Sequence, residues 1–139
     1  MKVFIVDDSP IIRDRLAAML SETEDVQMAG HAAGAAEAIR KIREARPDAV
    51  VLDIRLASGS GIDVLRAIKK ERPEVMVIML TLYPYSQYRE TCLKAGASFF
   101  LDKSTGFEQI PEALKACLFN IGRQKRSADE GQNYLEKRR

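Results

Sequence analysis

Short apolar runs rich in β-branched residues recur along the chain at Val3–Val6, Val26–Ala29, Ala49–Leu52, Val75–Leu80 and Ser98–Leu101. Their starts lie roughly 23 to 26 residues apart, about the length of a strand plus a crossover helix. The runs are continuous rather than alternating, which predicts strands buried on both faces of a parallel sheet. Between them the apolar spacing becomes helical. Ile12, Leu16, Met19 and Leu20 form one stripe, opened by Ser9 as N-cap and Pro10 as first helical residue. Ala35, Ala36, Ile39 and Ile42 form a second, ending before Pro47, and Ile62, Leu65 and Ile68 a third, ending before Pro73. Tyr88, Cys92 and Ala95 form a fourth, closed by Gly96, and Phe107, Ile110, Leu114, Cys117 and Leu118 a fifth. The sum is (βα)5. The right-handed crossover rule makes a doubly wound α/β sheet the natural arrangement.

The pattern stops after residue 120. Residues 1–120 read as one domain, and 121–139 as a polar tail or linker with no output domain of its own. Ser127 and Glu130 have capping-box spacing there, but Gly131 weakens any helix. Charge changes the picture of this tail. Residues 1–120 carry 16 basic and 17 acidic groups, whereas 121–139 carry six and three. The net charge of +2 is therefore a property of the tail, and a basic nucleic-acid-binding domain is not indicated. A hydrophobic fraction of 46% in 139 residues supports a real core and excludes disorder along the whole chain. No apolar run is long enough to span a bilayer, and Asp7-Asp8 interrupts the N-terminal run before a signal peptide could form. A cytoplasmic protein is expected.

Cys92 and Cys117 are the only cysteines and lie without a CxxC motif, so neither a disulfide framework nor a zinc site is supported. Both fall on helical apolar stripes and read as small buried hydrophobes. His31 is the only histidine, and it reads as an ordinary residue near a strand end.

Ligands of an open α/β sheet bind outside the carboxyl ends of the strands. Asp7 and Asp8 end the first strand and Asp53 the third. Three like charges in one crevice are costly unless a cation compensates, and an all-oxygen set suits a hard ion such as Mg²⁺. Thr81 ends the fourth strand and Lys103 follows the fifth, a hydroxyl and a point charge suited to an anion. Acid, metal, hydroxyl and lysine around one crevice make a phosphoryl-transfer set. Each residue alone means little; four of five strands ending in matched chemistry is specific.

On these motifs residues 1–120 resemble the receiver domains of two-component response regulators. The matches are Asp7-Asp8-Ser9-Pro10, Val50-Val51-Leu52-Asp53-Ile54-Arg55-Leu56, Gly61, Leu80-Thr81, Ala95-Gly96-Ala97 and Phe100-Leu101-Asp102-Lys103. The resemblance implies a flavodoxin-like fold with strand order 2-1-3-4-5. It implies Asp53 as phosphoacceptor, with Asp8 and the Arg55 carbonyl binding Mg²⁺ directly and Asp7 mostly through water. Thr81 and Lys103 would hold phosphoryl oxygens. Phe100 would be the aromatic switch, turning inward as Thr81 moves. The implied donor is a histidine kinase or histidine phosphotransfer protein, and the implied readout is a downstream protein target, with homodimerisation left open. Tyr83, Tyr85 and Phe99 are candidates for the partner surface.

Three positions depart from the family pattern. Ala57 and Ser104 stand where proline is usual, and Leu82 is bulkier than the usual residue after Thr81. Leu82 keeps in play an interaction module not switched by phosphate, and the composition of the tail fits either a stand-alone receiver or the N-terminal receiver of a longer DNA-binding regulator. An enzyme is not expected. A flavodoxin would need a phosphate-cradling loop where Asp7-Asp8 stand, and an Asp-x-Asp phosphatase would need its nucleophile on the first strand.

Overall fold

A computed structural model describes residues 1–122. The expected tail at 121–139 lies outside them, apart from its first two residues. Five strands alternate with helices: β1 (Lys2–Val6), α1 (Pro10–Glu22), β2 (Gln27–Ala32), α2 (Ala35–Ala45), β3 (Ala49–Leu52), α3 (Gly61–Glu71), β4 (Met76–Thr81), α4 (Ser86–Lys94) and β5 (Phe99–Asp102). A 3₁₀ turn at Phe107–Gln109 leads into α5, helical over 110–122. All strands are parallel, in the order β2-β1-β3-β4-β5. This is the doubly wound architecture expected from the two periodicities, with the flavodoxin-like strand order that the resemblance implies.

The central strands are buried on both faces, and the core divides accordingly. Phe4, Val6, Leu52, Val77 and Met79 pack on the α2–α3–α4 side, and Val3, Ile5, Val51, Ile78 and Leu80 on the α1–α5 side. Each fully buried Leu, such as Leu16, Leu65 or Leu114, contributes roughly 1.5–3 kcal/mol. Cys92 and Cys117 are both buried and unpaired. Burial pushes both thiols up, that of Cys117 to about 11.

β2 departs most from expectation, running from Gln27 to Ala32 rather than over Val26–Ala29. It is an edge strand and needs no continuous apolar run. The register slips between Val3 and Phe4, where the Phe4 ring lies against Gly30. A Cβ on Gly30 would stand 2.9 Å from that ring, and its φ of +151° adds to the reasons for glycine. His31, on this strand, is exposed.

Candidate functional site

The parallel register brings the carboxyl ends of β1, β3, β4 and β5 to one edge of the sheet, where they deliver Asp7, Asp8, Asp53, Thr81 and Lys103. Val6 pairs with Leu52 and Thr81 with Asp102, so the residues that follow share one depth. Asp7, Asp53, Thr81 and Lys103 are the buried polar or charged residues of the described chain. Asp8 is exposed.

Lys103 holds the acidic side together. Its Nζ lies 2.6 Å from Asp7 Oδ2 and 2.7 Å from Asp53 Oδ2. Burial alone would lower the ammonium, but hydrogen bonds and attraction from both carboxylates keep it above its ordinary value. Burial pushes the Asp53 carboxyl up against the pull of Lys103, and the Asp7 charge adds to the rise. The remaining carboxylate oxygens are oriented by the backbone. Asp53 Oδ1 accepts from Ile54 N at 2.7 Å, and Asp7 Oδ1 from Ser9 N at 2.9 Å. Ser9 also caps α1, its Oγ accepting from Ile12 N at 3.3 Å ahead of Pro10.

One carboxylate oxygen each from Asp7, Asp8 and Asp53 lies within 4.8 Å of the others. Asp8 has no hydrogen bond or ion pair from its side chain among the described residues. Three carboxylates without His or Cys fit a hard, oxygen-seeking divalent cation, and each oxygen of Asp7 and Asp53 keeps lone-pair capacity beyond its present partner.

A cleft of about 300 Å³ opens over this group, and Asp8, Asp53, Arg55, Leu82, Tyr83 and Lys103 are among the residues lining it. Gly61 packs against the backbone that follows the acceptor: Gly61 N donates to Ile54 O at 2.7 Å, and a Cβ there would overlap the Asp53 carbonyl oxygen. Thr81 Oγ1 accepts from Tyr83 N at 3.0 Å, which leaves its own proton free to donate. Leu82 is 59% exposed at the mouth of the cleft and does not seal it.

The other two departures have a physical role. Ala57 N donates to Ala33 O at 3.0 Å, and Ser104 N and Oγ donate to Asp102 Oδ1 at 2.9 and 2.7 Å. Proline would supply neither N–H. Each substitution therefore ties down a loop that flanks the carboxylates.

The aromatic candidates separate. Tyr85 is exposed, whereas Tyr83 is half-buried beneath Arg55, whose guanidinium lies 3.9 Å from the ring centroid. Phe99 is half-buried against the α1–α5 core rather than free on the surface. Phe100 is only 8% exposed and belongs to the cluster containing Cys92 and Ala97. The ring packs on the α2–α3–α4 side of the sheet. Two contributors escaped the sequence reading. Arg13 Nη1 donates to Asp7 O at 2.8 Å, and Arg15 covers the Phe107 ring at 4.0 Å beside the cleft. The two arginines stand two residues apart on α1, on different sides of the helix, and neither belongs to a motif.

Comparison with known proteins places this geometry. The family described as response regulator receiver domain matches residues 3–115. The response regulator GacA of Pseudomonas syringae is 27% identical over 83% of this chain and 54% of its own length. The DNA-binding transcriptional activator DevR/DosR of Mycobacterium tuberculosis is 33% identical over 83% of this chain and 53% of its own. The chain thus spans about half the length of the curated relatives it matches. Among solved structures, a CheY-like receiver domain protein of Methanospirillum hungatei superposes with a TM-score of 0.80 at 28% identity, covering 88% of this chain and 97% of that one.

Proposed function

The chain belongs to the response regulator receiver family, and from that premise we propose that it is a two-component phosphoacceptor, modified on Asp53 with Mg²⁺ by a phosphohistidine donor. The observation that carries this reading is the Lys103 ammonium bridging Asp7 and Asp53 in a buried site, with the unpartnered carboxylate of Asp8 beside it.

In the proposed step a carboxylate oxygen of Asp53 attacks phosphorus and forms an O–P bond. The P–N bond to the donor imidazole breaks, its electron pair stays on nitrogen, and that nitrogen takes a proton from solvent. Asp7, Asp8, Asp53 and the Arg55 carbonyl would hold a divalent cation, which would supply neutralisation of the negative charge that gathers at the acceptor. Ile54 N–H holds Asp53 Oδ1 in place during approach. Lys103 transfers its contact from the carboxylate to a phosphoryl oxygen, and the free Thr81 proton donates to another. The new charge and acceptor oxygens draw Thr81 and the Leu82–Tyr85 loop inward. Readout then falls on the exposed face around Tyr85 and α4, toward a downstream protein target.

A second reading of the output, control of a DNA-binding regulator, is favoured by the likeness to the DNA-binding transcriptional activator of Mycobacterium tuberculosis. It shares the same phosphorylation step.

Phosphoramidate, a small P–N donor, tests the chemistry. Incubation with Mg²⁺ is expected to give one phosphoryl adduct that hydroxylamine removes, as an acyl phosphate requires. An adduct that survives hydroxylamine would place the phosphate on a hydroxyl and overturn the assignment.

A further inference from the structure

α2 and α3 run back from the site edge, so their C-terminal ends lie at the opposite edge of the sheet from Asp53. There a cavity of about 270 Å³ opens between the two helices. Ile39, Ile42 and Val75 are part of its apolar wall, and Arg43, Arg46, Arg72 and Glu71 are its charged lining residues.

The guanidinium groups are incompletely matched. Arg43 Nε donates to both carboxylate oxygens of Glu71 at 3.0 Å, joining α2 to α3. Arg72 Nε donates to Glu74 Oε1 at 3.1 Å, but its Nη1 is buried without a hydrogen-bond partner. Arg46, held in the left-handed region at φ 48°, makes no ion pair among the described residues. Cations at helix C-termini complement the helix dipole, which accounts for Arg43 in the last turn of α2. It does not account for a buried donor left unsatisfied, a rare and costly feature. Three guanidiniums against the carboxylates of Glu71 and Glu74 leave one positive charge beside an apolar wall.

We propose that this cavity binds a small amphipathic anion, an alkyl or aryl carboxylate. Its apolar body lies on Ile39, Ile42 and Val75, and its carboxylate meets Arg46 and Arg72. At roughly 30 Å³ per water-sized group, the space holds about nine such groups. That is slightly below the usual range for ligand pockets. The site is independent of the Asp53 chemistry.

Octanoate is the probe, titrated into the full ¹⁵N-labelled chain with amide shifts as readout. Amides within 39–46 and 67–75 are expected to shift together and saturate with a Kd of about 1 mM. Arg46→Gln is expected to weaken binding about tenfold, the value of one charge-assisted hydrogen bond. Ala67→Leu, which fills the cavity from its α3 wall, is expected to abolish it. Octanol and inorganic phosphate, each carrying half of the ligand's chemistry, are expected to bind at least about tenfold more weakly. The proposal falls if octanoate gives no saturable shift or shifts other segments. It also falls if Arg46→Gln binds undiminished, or if either control binds as well as octanoate.

Discussion

Lys103 donates to Asp53 at 2.7 Å across 50 residues of sequence, joining the end of β5 to the end of β3. The same ammonium neutralises Asp7, so a single cation compensates two buried carboxylates. Lys103→Met leaves both unpaired. The expected loss is about 3 kcal/mol at neutral pH, as for other broken buried pairs. Urea unfolding in EDTA measures it. Added Mg²⁺ is expected to restore much of the loss, because the cation replaces the missing ammonium; equal losses with and without Mg²⁺ would argue against a shared carboxylate site.

Gly61→Ala tests the backbone beneath the acceptor. Its Cβ would overlap the Asp53 carbonyl oxygen, which is backbone and cannot swing aside as a flexible side chain could. A stability loss of roughly 2–4 kcal/mol is expected, together with displaced amide resonances at Asp53 and Ile54. A neutral substitution would show that the loop is looser than the packing indicates.

Leu82→Ala separates access from stability. The side chain is largely exposed, so unfolding free energy should change by less than about 0.5 kcal/mol. Adduct formation from a small donor should rise no more than a few-fold, since Leu82 rims the cleft without closing it. A much larger acceleration, read by intact mass over time, would make Leu82 a gate.

The cysteines give a pH prediction. Cys117 ionises near 11 in the folded chain, above the ordinary thiol value near 9, because burial disfavours the thiolate. The folded state therefore binds the proton more tightly than the unfolded one. Its contribution to stability is complete below pH 9 and is lost as pH rises from 9 to 11. At pH 8 neither Cys92 nor Cys117 should react with a thiol reagent until denaturant is added, since the thiolate is the nucleophile and both residues are buried.

The strands were legible where burial on both faces forces a continuous β-branched run, and β3 lies where expected, at Ala49–Leu52. β2 was less legible because an edge strand tolerates Gly30 and His31. The acidic set could be read because strand ends carry ligands in this architecture. The bridging by Lys103 could not, since sequence shows a cation suited to an anion but not which carboxylates it meets first. Arg55 over Tyr83 and Arg15 over Phe107 are contacts between elements, with no periodicity to announce them. The donors at Ala57 and Ser104 became visible only with the loops in place, where their N–H groups have partners.

The most direct test is intact-mass spectrometry after incubation with acetyl phosphate, with and without Mg²⁺, on the wild type and Asp53→Asn. One Mg²⁺-dependent phosphoryl adduct on the wild type, lost in the variant, is the predicted result. An adduct that persists in Asp53→Asn, or that forms equally well without a divalent cation, would contradict the assignment of Asp53 as the metal-assisted phosphoacceptor.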